Sequence, residues 1–105
     1  MRELVYDKNE LKSFKNFYEK IYSEFDVVNR SDMEDYPNLG YNADLLNEFL
    51  WGFQDDNLLF VMKNFDLDKI KEQKSYEDYE WGLIFQVLNR FVTNYPNNKM
   101  IFIND

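Results

Sequence analysis

Asp44 and Glu48 stand one helical turn apart inside segment 37–53, and their type, spacing and neighbours make them the residues most able to do chemistry. The spacing predicts a helix from about residue 42. Leu45, Leu46, Phe49, Leu50 and Phe53 fall at i, i+1, i+4, i+5 and i+8, one apolar stripe. Tyr41, Asp44, Glu48 and Trp51 fall at i, i+3, i+7 and i+10, a second stripe turned away from the first. Two carboxylates one turn apart repel, at a cost of about 0.2–0.5 kcal/mol in an isolated helix. Asp44, near the helix start, regains part of that from the helix dipole, whereas Glu48 lies too far in. Paired acids flanked by an exposed tyrosine and tryptophan suit a surface that something basic covers.

The acids invite two other readings. A carboxylate-only mechanism needs two acids in a cleft with separated pKa values, and this pair reads instead as the solvated face of a helix. A divalent-cation site built from Asp44, Glu48 and Asp55 or Asp56 lacks the ordered oxygen-ligand loop such sites use. The chain has no cysteine and no histidine. It therefore has no disulfide framework, no thiolate zinc site, no thiol nucleophile and no imidazole base. Three glycines form no phosphate-cradling loop. We expect no catalytic residue, no metal, no cofactor and no enzymatic activity.

At 105 residues the chain is read as one domain, 1–105, with a single core. Aromatics make up 19% of it, so the core is expected to be built on Phe and Tyr rather than small aliphatics. Twelve Lys and Arg against 20 Asp and Glu give a net charge of −8. Such a chain is repelled by phosphate backbones and anionic membranes. Direct nucleic-acid binding and membrane binding are not expected; a basic protein partner fits better. The opening residues lack the apolar run of a signal peptide, and no window reaches a membrane span. A soluble, cytoplasmic protein is expected.

The remaining pattern sets the elements that must position the acids. Residues 3–6 read equally as a short first strand or a frayed end, and Asn9 reads as an N-cap. Leu11, Phe14, Phe17, Tyr18, Ile21, Tyr22 and Phe25 mark an amphipathic first helix. Residues 26–39 read as a loop ending near Pro37. After Gly52, a polar break leads to the apolar run 58–62, a buried strand. Residues 65–72 suggest a short helix and 71–74 a charged loop. Ser75 and Asp78 have the shape of a capping box with Asp in place of Glu. Trp81, Ile84, Val87, Leu88, Phe91, Val92 and Tyr95 form the stripe of a long helix that stops at Pro96, and 100–103 a closing strand. Trp81, Phe91 and Tyr95 are assigned to the core, Trp51 to a rim or a lid. Helices alternating with short apolar strands predict an α/β fold with a small, largely parallel sheet.

The segment resembles the barstar family, intracellular inhibitors of barnase-type ribonucleases. The family opens its second helix with Gly-x-Asn-x-Asp, adds an acid one turn on and closes with a Gly-aromatic pair. Those positions are Gly40, Asn42, Asp44, Glu48 and Gly52-Phe53. The register continues without a gap through Asp55, the strand 58–62 and Phe65, and the last helix and last strand also fall where the family has them. The likeness covers about two thirds of the chain and is thin before Pro37. It implies a three-stranded parallel sheet packed against helices, barstar-like.

It also implies that the second helix and the loop before it plug a nuclease active site. Asp44 and Glu48 would take the place of RNA phosphates against Arg and Lys side chains. Asn38, Tyr41, Asn42 and Asn47 would flank them, and Trp51, Gly52 and Asp55 would complete the patch. The negative field would speed encounter with a basic enzyme, an effect whose size is inherited from the family. Three departures stand out. Asn38-Leu39 replaces an aromatic pair, Glu48 is one methylene longer than the family's Asp, and Arg90 falls near a position where the family has a contacting acid. The expectation is an immunity protein or antitoxin that forms a 1:1 complex with a basic ribonuclease or nuclease toxin, in a bacterial setting. The alternative is an acidic module that docks a basic partner without inhibiting it.

Overall fold

In the computed structural model, residues 1–24 and 43–104 are described. Strand β1 (Arg2–Asp7) leads to helix α1 (Phe14–Glu24). Helix α2 (Ala43–Trp51) precedes strand β2 (Leu58–Lys63). Helices α3 (Leu67–Glu72) and α4 (Tyr76–Asn94) then lead to strand β3 (Lys99–Ile103). The strands form one parallel sheet in the order β1-β2-β3. Among the described residues this is a small α/β protein with three parallel strands and four helices, as the alternating pattern predicts.

The sheet order explains where the core lies. Two successive right-handed crossovers stepping the same way place their helices on the same side of the sheet. Leu4, Phe60 and Met100 are cross-strand neighbours, as are Tyr6, Met62 and Phe102. Of these, Leu4, Tyr6, Phe60 and Met62 are buried in the core with the helices' apolar stripes. The intervening residues, including the row Val5, Val61 and Ile101, point to the other face.

Aromatic rings fill the core, as the composition predicts. Phe17 stacks on Tyr6 with ring centres 4.8 Å apart and on Trp81 at 5.8 Å. Phe65 meets Trp81 edge-on at 4.9 Å. Trp81 and Phe91 are buried, and Tyr95 packs half-buried against the same cluster.

Local chemistry sets the element ends. Ser75 is the N-cap of α4, its hydroxyl accepting the Asp78 N–H at 3.1 Å. Only this forward half of the expected capping box forms, because the shorter Asp78 side chain does not return a bond. Asp66 caps α3 in the same way, accepting the Lys69 N–H at 3.1 Å. Asn9 does not cap α1, which starts five residues later at Phe14. Its N–H is instead held by the Asp7 carboxylate at 2.9 Å in a turn after β1. The Phe14 N–H at the start of α1 is taken by Glu77 of α4 at 2.9 Å. The same carboxylate oxygen accepts the Trp81 indole N–H at 3.0 Å. Lys71 and Glu72, where the expected short helix and charged loop overlap, belong to the helix α3, whose end is set by Gln73 in the left-handed region at φ 53°.

Candidate functional site

Helix α2 divides as its periodicity predicts. Ala43, Leu46, Phe49 and Leu50 are buried, and Phe53 is buried in the turn that follows. Leu45, assigned to the same stripe, is only partly covered. Phe49 packs edge-on against Tyr22 of α1 at 5.1 Å and meets Phe53 at 5.0 Å. The opposite face carries Asp44, Asn47, Glu48 and Trp51. Asp44 and Glu48 are exposed, and Trp51 is 70% exposed, a rim residue rather than a lid. An indole held in water with its apolar faces uncovered is an uncommon use of tryptophan.

Two hollows flank this face. One, of about 250 Å³, is lined by Asn47, Glu48 and Trp51. The other, of about 390 Å³, lies between α2 and α4. Asp44 and Asn47 line it from α2, and Tyr79, Glu80 and Arg90 from α4. Asn47 borders both. Gly52 and Asp55, exposed in the turn after α2, line neither. Asn38, Tyr41 and Asn42 lie outside the described residues.

The electrostatics of the larger cleft are those of a negatively charged basin with one cation on its wall. Tyr76 has its phenol pushed up, first by the Glu80 carboxylate four residues on, which it also bonds. The Tyr18 phenol beneath is pushed well above the ordinary range, chiefly by burial, with Tyr22, Glu80, Tyr76 and Asp44 adding to it. Asp44 and Glu80 thus act on the same buried group from two helices. Sequence reasoning singled out Arg90 but not Tyr79 or Glu80. A signal for Glu80 was available: Glu80, Leu83, Val87 and Arg90 recur at i, i+3, i+7 and i+10, a second stripe beside the core stripe of α4.

The exposed carboxylates of this arrangement can pair with cationic groups. Among the described residues no three acids come together as a cation-binding cluster. Nor is any described helix long and apolar enough to cross a membrane. In comparisons with known proteins the chain matches no family model, no curated protein and no solved structure.

Proposed function

We propose that this protein inhibits a basic ribonuclease or nuclease toxin by laying the acidic face of α2 into the enzyme's phosphate-binding site. The observation that carries the reading is the division of α2. Its apolar side is locked into the core, while Asp44, Glu48 and Trp51 stand out together on the other. A rigid helix holding carboxylates at fixed spacing offers phosphate-like charge without the entropy cost of ordering a loop. The net charge of −8 supports the same partner, since it favours approach of a basic enzyme and disfavours nucleic acid.

Arg90 gives this partner a second feature. A cation beside Asp44 in one cleft favours a nuclease whose rim pairs its basic site with an acidic or amide group. It also keeps a second reading in play, in which the same face docks a basic protein whose activity is unchanged.

The test is RNA cleavage by a barnase-type ribonuclease with and without an equimolar amount of this protein, at low and physiological salt. Inhibition is expected, weaker at higher salt. Asp44→Ala and Glu48→Ala should each cost about 2–5 kcal/mol of binding where their partners are buried in the complex. Binding without inhibition would select the docking module. Wild-type inhibition by the double variant would remove these residues from the site.

A further inference from the structure

We propose that two copies of this chain pair through strand β3, antiparallel across a two-fold axis at Ile101, forming one continuous six-stranded sheet. The inference rests on neither Asp44 nor Glu48.

The two edges of the sheet differ. At β1, the Lys20 ammonium donates to the Val5 carbonyl at 2.7 Å and lies 5.4 Å from the Tyr6 ring centre, so a side chain occupies that edge. At β3, the Asn64 N–H donates to the Ile103 carbonyl at 2.8 Å, which turns Ile103 toward β2. By alternation Ile101 and Lys99 also turn inward, and the N–H and C=O of Met100 and Phe102 point to the open edge. Among the described residues nothing bonds them. Ile101, Phe102 and Ile103 are 43%, 40% and 40% exposed. An apolar edge strand left unpaired in this way is a template for another strand.

The geometry points to a second copy as that strand. Because Met100 and Phe102 face outward, an antiparallel copy in register pairs Met100 with Phe102 of the other chain twice, closing rings of hydrogen bonds. Ile101 then lies opposite its own mate on the axis. On the sheet face away from the core, the row Val5, Val61 and Ile101 becomes a six-residue apolar row running unbroken across both copies. Val61 is already only 6% exposed although it lies outside the core cluster. Extending the row would cover Ile101 in the same manner.

Charge selects the antiparallel sense. Lys99 opens β3, while Asn104 at the other end shares a hollow with Asp66 and Asp68. A two-fold axis brings the cationic end of each strand to the acidic end of its mate, twice over. A parallel arrangement would set Lys99 against Lys99 and acid against acid. The pairing works against a net charge of −8 per copy, so it is to be measured at about 0.15 M salt, where the Debye length is about 8 Å.

The absence of cysteine makes the test clean. Sedimentation equilibrium of the wild-type chain should show a monomer–dimer equilibrium. Ile101→Lys, which sets like charges opposite each other at an exposed site, should weaken it about tenfold or more. In Ile101→Cys the two thiols meet on the axis, with Cβ atoms about 4.5–5.5 Å apart, close to disulfide reach. Mild oxidation should cross-link it far faster than Val5→Cys, an exposed site in the same row on the opposite edge. A chain that stays monomeric up to about 1 mM overturns the proposal, and this is the result expected if an unrelated polypeptide supplies the strand. A dimer insensitive to Ile101→Lys, or Ile101→Cys cross-linking no faster than Val5→Cys, overturns it as well.

Discussion

Asn98 shows how one buried amide can fix the relation between two loops. It is 1% exposed, and both ends of its side chain are used. The Oδ1 accepts the Leu58 N–H at 2.9 Å, where β2 begins, and the Nδ2 donates to the carbonyls of Gln54 and Tyr95 at 3.2 and 3.1 Å. The side chain thereby ties the turn after α2 to the end of α4, the two helices that form the acidic cleft. Asn98→Ala leaves the Leu58 N–H buried without a partner and should cost about 1–3 kcal/mol. Urea unfolding checks this as a lowered midpoint with an unchanged slope. Asn98→Asp separates the two ends. It keeps an acceptor for Leu58 but turns a charged oxygen toward two carbonyls, so it should be at least as damaging at neutral pH. Wild-type stability for Asn98→Asp would mean that only the Leu58 bond matters.

Among the elements, α4 does most to place the site, since it packs against α1, α2 and α3 and carries Glu80 and Arg90. Gly82 sits in the middle of this helix. A Cβ built there would come no closer than 3.8 Å to Gln73 Nε2 and 3.9 Å to Ile70 Cγ2, ordinary contact distances. Gly82→Ala should therefore stabilise the protein, by up to about 1 kcal/mol from helix propensity, read as a raised urea midpoint. A loss of stability would show that the close approach of α3 to α4 at this point needs the missing methyl. Helices α1, α2 and α4 were legible in the sequence because each keeps an apolar stripe over two turns or more, and β2 because it is a short apolar run. The α1 boundary was not. Leu11 continues the stripe although it precedes the helix, and the group that takes the first N–H is Glu77, far along the chain. The cleft was half legible for a related reason. Periodicity assigns Asp44 and Glu48 to an outer face of α2, but which face of α4 lies beside it is settled by packing. The stripe that carries Glu80 can be read from the sequence, but that it lies beside Asp44, with Tyr79, is seen only in three dimensions. The unpaired edge at β3 was equally hidden, because strand order is a property of the assembled sheet.

For the molecule as a whole, pH acts on stability through the acid excess outside and the phenols inside, and on the alkaline side the two act together. On the acid side two carboxylates oppose each other. Asp7 is held below the usual carboxylate range by its bonds to Asn64 and the Asn9 N–H, so its contribution is lost as pH falls through its folded pKa. Glu24 is pushed up, chiefly by burial, so its contribution is present at low pH and lost as pH rises through its folded pKa. On the alkaline side there is no such balance. Tyr6 is fully buried and its phenol is pushed well up, first by burial and then by Glu24. Tyr18, also fully buried, is pushed up by burial and then by Tyr22, Glu80, Tyr76 and Asp44. Above pH about 10 the unfolded chain releases these protons while the folded chain keeps them. Each tyrosine should then remove up to about 1.4 kcal/mol of stability per pH unit. The molecule starts from −8 and becomes more negative as its exposed tyrosines ionise, so self-repulsion adds to the loss. Urea midpoints measured from pH 8 to 11 should fall steeply at the upper end for the wild type, and Tyr6→Phe should make that fall shallower by about one proton. An identical fall in Tyr6→Phe would assign the alkaline limit to surface repulsion instead of the buried phenols.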